Sequence, residues 1–140
     1  MEITTAEGYA SGERIAQLAA QNFVKAFEST AERLGEDVAI RSADDAVTLT
    51  WDELRDRSRA IAGGLAGLGV SKGDTVALML NNRPEFIPID LAAVSLGAVP
   101  FSIYQTLTPD QIQYVLSDAG ARVAVVETTF LPQLMAAKQD

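Results

Sequence analysis

The sequence contains no cysteine and no histidine. These absences exclude disulfide bonds, thiolate nucleophiles, Cys/His zinc sites and Ser-His-Asp triads from the 140 residues. A metal site built from carboxylates alone is compatible with this composition, but the acidic residues lack the spacing of a calcium-binding loop, and we expect no metal site in this chain. A chain without cysteine is compatible with the reducing cytosol, and we expect a cytoplasmic location.

Positive charge is scarce, with 11 Lys and Arg against 19 Asp and Glu and a formal net charge of −8. Because contacts to nucleic-acid phosphates need clustered basic side chains, this balance argues against a nucleic-acid partner. The first residues have neither the basic start nor the apolar run of a signal peptide.

Long apolar runs are also rare, and the longest apolar stretch covers residues 86–104. It is interrupted by Pro88, Asp90 and Pro100, and an ionised Asp is costly at the centre of a bilayer. We therefore expect no membrane span, and the stretch predicts a buried helix followed by a buried strand.

Hydrophobic residues make up 48% of the chain, which is enough for one domain with its own core. Residues 1–20 are weakly patterned and predict a loosely ordered N-terminal arm. Residues 21–140 form the predicted α/β subdomain. Within it, residues 38–41 and 47–50 are short, β-rich and separated by turn residues, which predicts a small hairpin.

Side chains typical of helix caps mark the predicted helices. Asn22 precedes a helix that Gly35 ends, with an apolar stripe of Phe23, Phe27, Ala31 and Leu34. Two capping boxes follow, one formed by Thr50 and Glu53, the other by Thr108 and Gln111. Trp51 begins the second helix on its apolar side, which favours a core contact.

Three continuous apolar runs, at residues 75–80, 99–104 and 122–127, are typical of strands covered on both faces. Helical patterns lie between them over residues 85–97 and from Thr108, and a last helix follows a predicted cap at Thr129. This alternation predicts right-handed crossovers. The expected fold class is therefore α/β, with a parallel βαβαβα layered sheet, a small N-terminal hairpin and flanking helices.

Two glycine-containing segments could be mistaken for ligand loops. The segment GGLAGLG (63–69) lies at a helix end, where the helix dipole repels phosphate, so it predicts close packing and a helix stop. Gly97 is interpreted as allowing a helix to approach the sheet closely. On local physical grounds, we therefore interpret residues 97–116 as a connection between secondary-structure elements and not as a ligand loop.

Ligands of open parallel sheets bind beyond the carboxyl ends of the strands. The residues predicted at these ends are Asn81, Asn82, Tyr104, Gln105, Glu127 and Thr128. Asn82 is interpreted as a helix cap, and Tyr104 as either a partly buried side chain with its hydroxyl at the rim or part of a cavity lining. None of the six is predicted to be catalytic or to bind a cofactor.

The segment LTWDELRDRSRAIAGGLAGLGVSKGDTVALMLNNRPEF, together with LAAVSLGAVPFSIYQTLTPDQIQYVLSDAGARVAVVE, resembles the N-terminal region of the AMP-forming acyl-CoA synthetases. The resemblance covers residues 20–137 and is greatest to the long-chain fatty-acid–CoA ligases. For the parent enzyme it implies a fatty acid, ATP, Mg²⁺ and CoA as ligands. No functional residue of the family is carried over to these positions, and Tyr104 alone is kept as a candidate for lining an acyl channel.

The family's phosphate-binding loop, adenosine motif and C-terminal catalytic lysine have no counterpart within these 140 residues. The chain is therefore expected to be an N-terminal fragment that binds no cofactor, lacks activity alone and pairs with the missing remainder of the ligase. The alternative is a stand-alone, non-catalytic α/β binding or interaction module.

Overall fold

The computed structural model of the chain describes residues 22–138. Its helices are α1 (Phe23–Leu34), α2 (Trp51–Gly67), α3 (Phe86–Ser95), α4 (Pro109–Asp118) and α5 (Leu131–Ala137). Its strands are β1 (Val38–Arg41), β2 (Thr48–Thr50), β3 (Thr75–Met79), β4 (Val99–Ser102) and β5 (Val123–Val126). The predicted arm over residues 1–20 lies outside the described residues.

The strands form two separate sheets. β1 and β2 pair antiparallel as the predicted hairpin. β3 pairs in parallel with both β4 and β5, so the second sheet has the order β4-β3-β5. The helices between these strands cover the sheet, and the predicted α/β fold class is confirmed.

β3 is the centre of the core because its alternate side chains point to opposite faces of the sheet. Val76 and Leu78 pack in a cluster with residues of α2 and α3. Ala77 and Met79 pack in a second cluster with residues of α4 and α5. All four side chains are buried, as the continuous apolar run predicted.

β5 is less buried than predicted, since its four residues are all only half-buried. Within residues 22–138 it pairs with β3 alone, which leaves its other edge unpaired. An apolar run identifies a strand but does not distinguish a central strand from an edge strand.

The N-terminal helix packs on the start of α2. Asn22 Oδ1 accepts a hydrogen bond from the Lys25 backbone N–H at 2.9 Å, as expected of an N-cap. The ring centroids of Phe27 and Trp51 lie 6.3 Å apart, which confirms the predicted core contact of the tryptophan. Within the predicted apolar stripe, Phe27 and Ala31 are buried, whereas Phe23 is 62% exposed.

Both predicted capping boxes are present. Thr50 Oγ1 accepts from the Glu53 N–H at 3.2 Å, and Glu53 Oε2 accepts from the Thr50 N–H at 2.9 Å. The equivalent distances between Thr108 and Gln111 are 3.4 and 2.9 Å. Each box satisfies two backbone donors that the helix itself leaves unpaired.

Two other predicted caps are wrong. α3 begins at Phe86 with Glu85 in the N-cap position, so Asn82 does not cap it. Pro88 is the third residue of this helix, where no intrahelical N–H bond is lost. Thr129 lies inside a short 3₁₀ turn, Thr128–Phe130, that precedes α5.

The glycines do not make the close contacts that were predicted for them. Gly97 has φ +73°, and a Cβ there would lie 3.0 Å from Lys72 Cγ, so this glycine approaches the turn before β3 and not the sheet. A Cβ at Gly63 or Gly64 would meet nothing within 4 Å, so close packing does not explain these residues within the described chain. The segment 63–69 does end α2, as predicted.

The apolar stretch 86–104 forms α3 and β4, a helix followed by a strand, as predicted. β4 is less buried than predicted, since Val99 at its start is 55% exposed and Ser102 at its end is also exposed. Among residues 22–138, every helix is too short or too polar to cross a lipid bilayer.

Candidate functional site at the carboxyl edge of the sheet

The carboxyl ends of β3, β4 and β5 meet at one edge of the parallel sheet. The Ile103 N–H donates to the carbonyl of Leu78 at 2.8 Å, and the Glu127 N–H donates to the carbonyl of Met79 at 3.0 Å. These bonds continue the pairing one residue beyond β4 and β5. The segments that follow the three strands therefore begin side by side.

The Glu127 carboxylate joins the end of β5 to the loop after β3. Its Oε2 atom accepts from the backbone N–H and the side-chain Nδ2 of Asn81, each at 3.1 Å. Its Oε1 atom lies 3.3 Å from Arg83 Nη1. One carboxylate thus fixes the start of the loop at residues 81–84.

Arg83 is also paired with Glu85. Arg83 Nε and Nη2 donate to the two Glu85 oxygens at 2.8 and 3.1 Å. This hydrogen bond lowers the pKa of the Glu85 carboxyl and raises the pKa of the Arg83 guanidinium. Both side chains are therefore held in their charged forms, and neither is suited to exchange protons near neutral pH.

Two glutamines hold the loop after β4. Gln105 Nε2 donates to the carbonyl of Leu80, which follows β3. Gln133 Nε2, from α5, donates to the carbonyls of Gln105, at 3.0 Å, and Leu107. The loop between β4 and α4 is thus fixed on both sides by side-chain amides.

Tyr104 lies beside a cleft of about 350 Å³ at this edge. The cleft is lined by Leu80, Asn81, Asn82, Phe86, Ser102, Ile103, Tyr104 and Gln105. The Tyr104 side chain is 73% exposed, so it is less buried than the partly buried alternative predicted. Its position is compatible with a cavity lining.

The structure brings three of the six predicted edge residues into hydrogen-bonded contacts, namely Asn81, Gln105 and Glu127. Asn82 lines the cleft without capping a helix, and Thr128 begins the 3₁₀ turn. Sequence reasoning missed Arg83 and Glu85, although their positions around Pro84 directly after a strand could have indicated them. It also missed Gln133, whose partners are 26 and 28 residues away and leave no local signal.

The charged groups of this edge satisfy one another, and the described residues offer no metal centre. Among residues 22–138, no group of three or more His, Cys, Asp and Glu side chains could hold a metal ion. The cation of the edge, Arg83, is already bound by two carboxylates. These side chains are therefore arranged to hold the three loops in place and not to activate a nucleophile.

In open parallel sheets, ligands bind in the crevice beyond the carboxyl ends of the strands, where this chain has its polar loops. The chain belongs to the AMP-binding enzyme family, whose model matches residues 27–140. This match confirms the resemblance found in the sequence.

Individual relatives differ in length and in name. Over 112 residues the chain is 42% identical to the uncharacterized protein Rv1549 of Mycobacterium tuberculosis, covering 80% of this chain and 64% of that protein. Over 122 residues it is 34% identical to the 4-hydroxybenzoate–CoA/benzoate–CoA ligase of Rhodopseudomonas palustris, covering 87% of this chain and 22% of that enzyme. The chain thus spans about a fifth of that ligase.

A solved structure supports the same fold. The Mycobacterium tuberculosis fatty acyl CoA synthetase superposes with a TM-score of 0.75 at 28% identity, covering 81% of this chain and 23% of that one.

Proposed function

We propose that the chain is the N-terminal part of an AMP-forming ligase that activates a long-chain fatty acid. In this reaction the acid's carboxylate attacks ATP to give acyl-AMP and pyrophosphate, and CoA then displaces AMP to give acyl-CoA. ATP, Mg²⁺ and CoA are bound by polypeptide other than these 140 residues. The chain itself acts as a cytoplasmic scaffold without activity of its own.

The mutual pairing of the charged groups at the carboxyl edge carries the proposal of a scaffold. Phosphoryl and adenylyl transfer depend on donors aimed at charge that develops on phosphate. Arg83 is occupied by Glu85 and Glu127, and the glycine-rich segment 63–69 lies at the negative end of α2. Neither is available to bind a triphosphate.

A pyrophosphate-release assay tests the scaffold proposal. The purified chain is incubated with ATP, Mg²⁺ and a long-chain fatty acid, with an intact fatty-acid–CoA ligase as the positive control. We expect no release above the rate measured without fatty acid. Release that depends on the fatty acid would show that the chain is a catalyst by itself.

The acyl specificity is proposed from the long-chain type of motif, IYQTLTPDQIQY, and is supported by the likeness to a fatty acyl CoA synthetase. The similarity to a benzoate ligase makes an aromatic acid the competing substrate. Within the cleft at the carboxyl edge, we assign Tyr104 to the wall of the acyl channel because its ring is exposed beside Leu80 and Phe86.

Titration with a fluorescent long-chain fatty acid tests this role of Tyr104. Tyr104→Ala is expected to weaken binding because it removes an apolar wall of the cleft. Tyr114→Ala is the matched control, since Tyr114 is 70% exposed on α4 and does not line this cleft. Equal affinities of the two variants for the fatty acid would contradict the assignment of Tyr104 to the channel wall.

A stand-alone interaction module is the second candidate. It is favoured by the relative in which the matched 112 residues already make up 64% of the protein. A module predicts dispersed proton–nitrogen NMR signals and no binding of dyes specific for apolar surface. A fragment predicts dye binding, because surfaces that the rest of the ligase should cover remain exposed.

A further inference from the structure

A second concave surface, here called the α1–α3 groove, lies between α1, β1, α2 and α3. Its volume is about 450 Å³, which is within the usual range of small-molecule sites. Three of its lining side chains are aromatic, namely Phe23, Phe27 and Trp51, and most of the others are aliphatic. The groove shares no lining residue with the cleft at the carboxyl edge, so within residues 22–138 it is a separate candidate site.

Asp90 is the one charged side chain in the lining of the groove. It lies on α3 three residues after Ile87, so the two side chains share one face of this helix. Partial burial raises the pKa of the Asp90 carboxyl above its ordinary value. Within residues 22–138 no hydrogen bond or ion pair to this carboxylate is formed. Because a carboxylate partly withdrawn from water is unfavourable without a partner, a cation in the groove would stabilise it.

The one neutral hydroxyl in the lining is already engaged. Thr30 Oγ1 donates to the Ala26 carbonyl at 2.8 Å. A hydroxyl has a single proton to donate, so Thr30 does not also satisfy the Asp90 carboxylate. A ligand that carries its own N–H donors would therefore complete the site.

The aromatic rings favour the same kind of ligand. The faces of aromatic rings attract cations, and indole does so more strongly than phenyl. The ring centroids of Phe27 and Trp51 lie 6.3 Å apart, so both rings border one small region of the groove. Aromatic faces and one carboxylate are together complementary to an ammonium group, and the remaining apolar walls are complementary to a hydrocarbon.

We propose that the α1–α3 groove binds a small organic ammonium ion that carries an apolar tail. The ammonium group lies beside the Asp90 carboxylate, and the tail lies against Phe23 and Ile87, whose side chains are exposed within residues 22–138. The fatty acid, ATP and CoA of the proposed ligase are all anions. A site for a cation therefore goes beyond the proposed function.

Titration of the full chain with phenethylammonium chloride tests this site. Phenethyl alcohol is the uncharged comparison of matched size. Trp51 fluorescence reports on binding because this residue lines the groove and is the sole tryptophan of the chain. At neutral pH we expect the cation to bind about 3–10-fold more tightly than the alcohol, because it alone pairs with the carboxylate and the ring faces.

Substitutions locate the two ligands in the groove. Asp90→Asn keeps the shape of the side chain and removes its charge, so we expect the cation and the alcohol to bind this variant with equal affinity. Asp118→Asn is the matched control, since Asp118 is exposed on α4 outside the groove, and it retains the preference for the cation. Phe23→Ala removes an apolar wall and weakens the binding of both ligands. Leu68→Ala, at an exposed leucine outside the groove, changes neither affinity.

Four results would overturn the proposal. They are the absence of a saturable fluorescence response to either ligand, equal affinities for the two ligands in the unsubstituted chain, and a preference for the cation that Asp90→Asn retains. The fourth is Trp51 emission that changes with protein concentration without ligand, because a second copy of the chain then occupies the groove. The comparison of the two ligands needs no substitution, so it remains decisive if far-UV circular dichroism shows that Asp90→Asn unfolds.

Discussion

Gly97 illustrates how one residue determines a connection between elements. Its φ of +73° lies in the left-handed region, and its carbonyl accepts a hydrogen bond from the Gly73 N–H at 2.9 Å. The space that a Cβ would need is occupied by the Lys72 side chain. Both the backbone conformation and the neighbouring turn therefore require glycine here.

Replacing this glycine should destabilise the fold. For Gly97→Ala we expect a loss of about 1–2 kcal/mol in the free energy of unfolding, because alanine is strained at positive φ. Urea denaturation monitored by circular dichroism measures the change.

Gly63→Ala provides the matched control, since Gly63 lies inside α2 and a Cβ there meets nothing within 4 Å. We expect this variant to gain about 0.5–1 kcal/mol from the higher helix propensity of alanine. A Gly97→Ala chain as stable as the Gly63→Ala chain would contradict the strain argument.

Side-chain partners that are distant in sequence could not be predicted. Glu127 binds Asn81, and Gln133 binds the loop after β4, through contacts that exist only after the strands have been placed side by side. The alternation of strands and helices, which implies a parallel sheet, did predict that Asn81, Gln105 and Glu127 would share one edge of that sheet. It did not determine which atoms would meet, because small changes in loop path reorder such contacts.

The helices show what local sequence can determine. The capping boxes of α2 and α4 were predicted because every group involved lies within four consecutive residues. The start of α3 was not, because no side chain caps it and Pro88 is compatible with several starting residues. A capping motif in the sequence therefore locates the start of a helix only if a side chain of that motif caps the helix.

The cap of α4 gives a prediction at this scale. Thr108→Ala removes the acceptor for the Gln111 N–H, and we expect the free energy of unfolding to fall by about 1 kcal/mol. Thr106→Ala is the control, since Thr106 is an exposed residue of the preceding turn. Equal urea midpoints for the two variants would show that the box contributes nothing measurable.

At the scale of the whole molecule, β3 connects the two helical layers. Each face of this strand belongs to a different core cluster, so both layers depend on the same five residues, Thr75–Met79. The sequence predicted that these residues are buried on both sides. It did not predict the order β4-β3-β5, because an uninterrupted apolar run carries no information about its neighbours.

Truncating the centre of β3 should therefore be costly. Leu78 is 1% exposed, and for Leu78→Ala we expect a loss of about 2–5 kcal/mol through lost burial and the remaining cavity. Leu68→Ala, at a leucine that is 68% exposed after α2, should change stability by less than about 0.5 kcal/mol. Similar thermal unfolding midpoints would contradict the central role of β3.

The position of β3 also sets the order in which the fold can be completed during synthesis. Its Ala77 and Met79 side chains are covered by Ile112 and Ala137, which leave the ribosome later. Until then the nascent chain displays an apolar strand face, the kind of surface that chaperones recognise. Translation speed through α4 and α5 therefore determines how long that face stays open to aggregation.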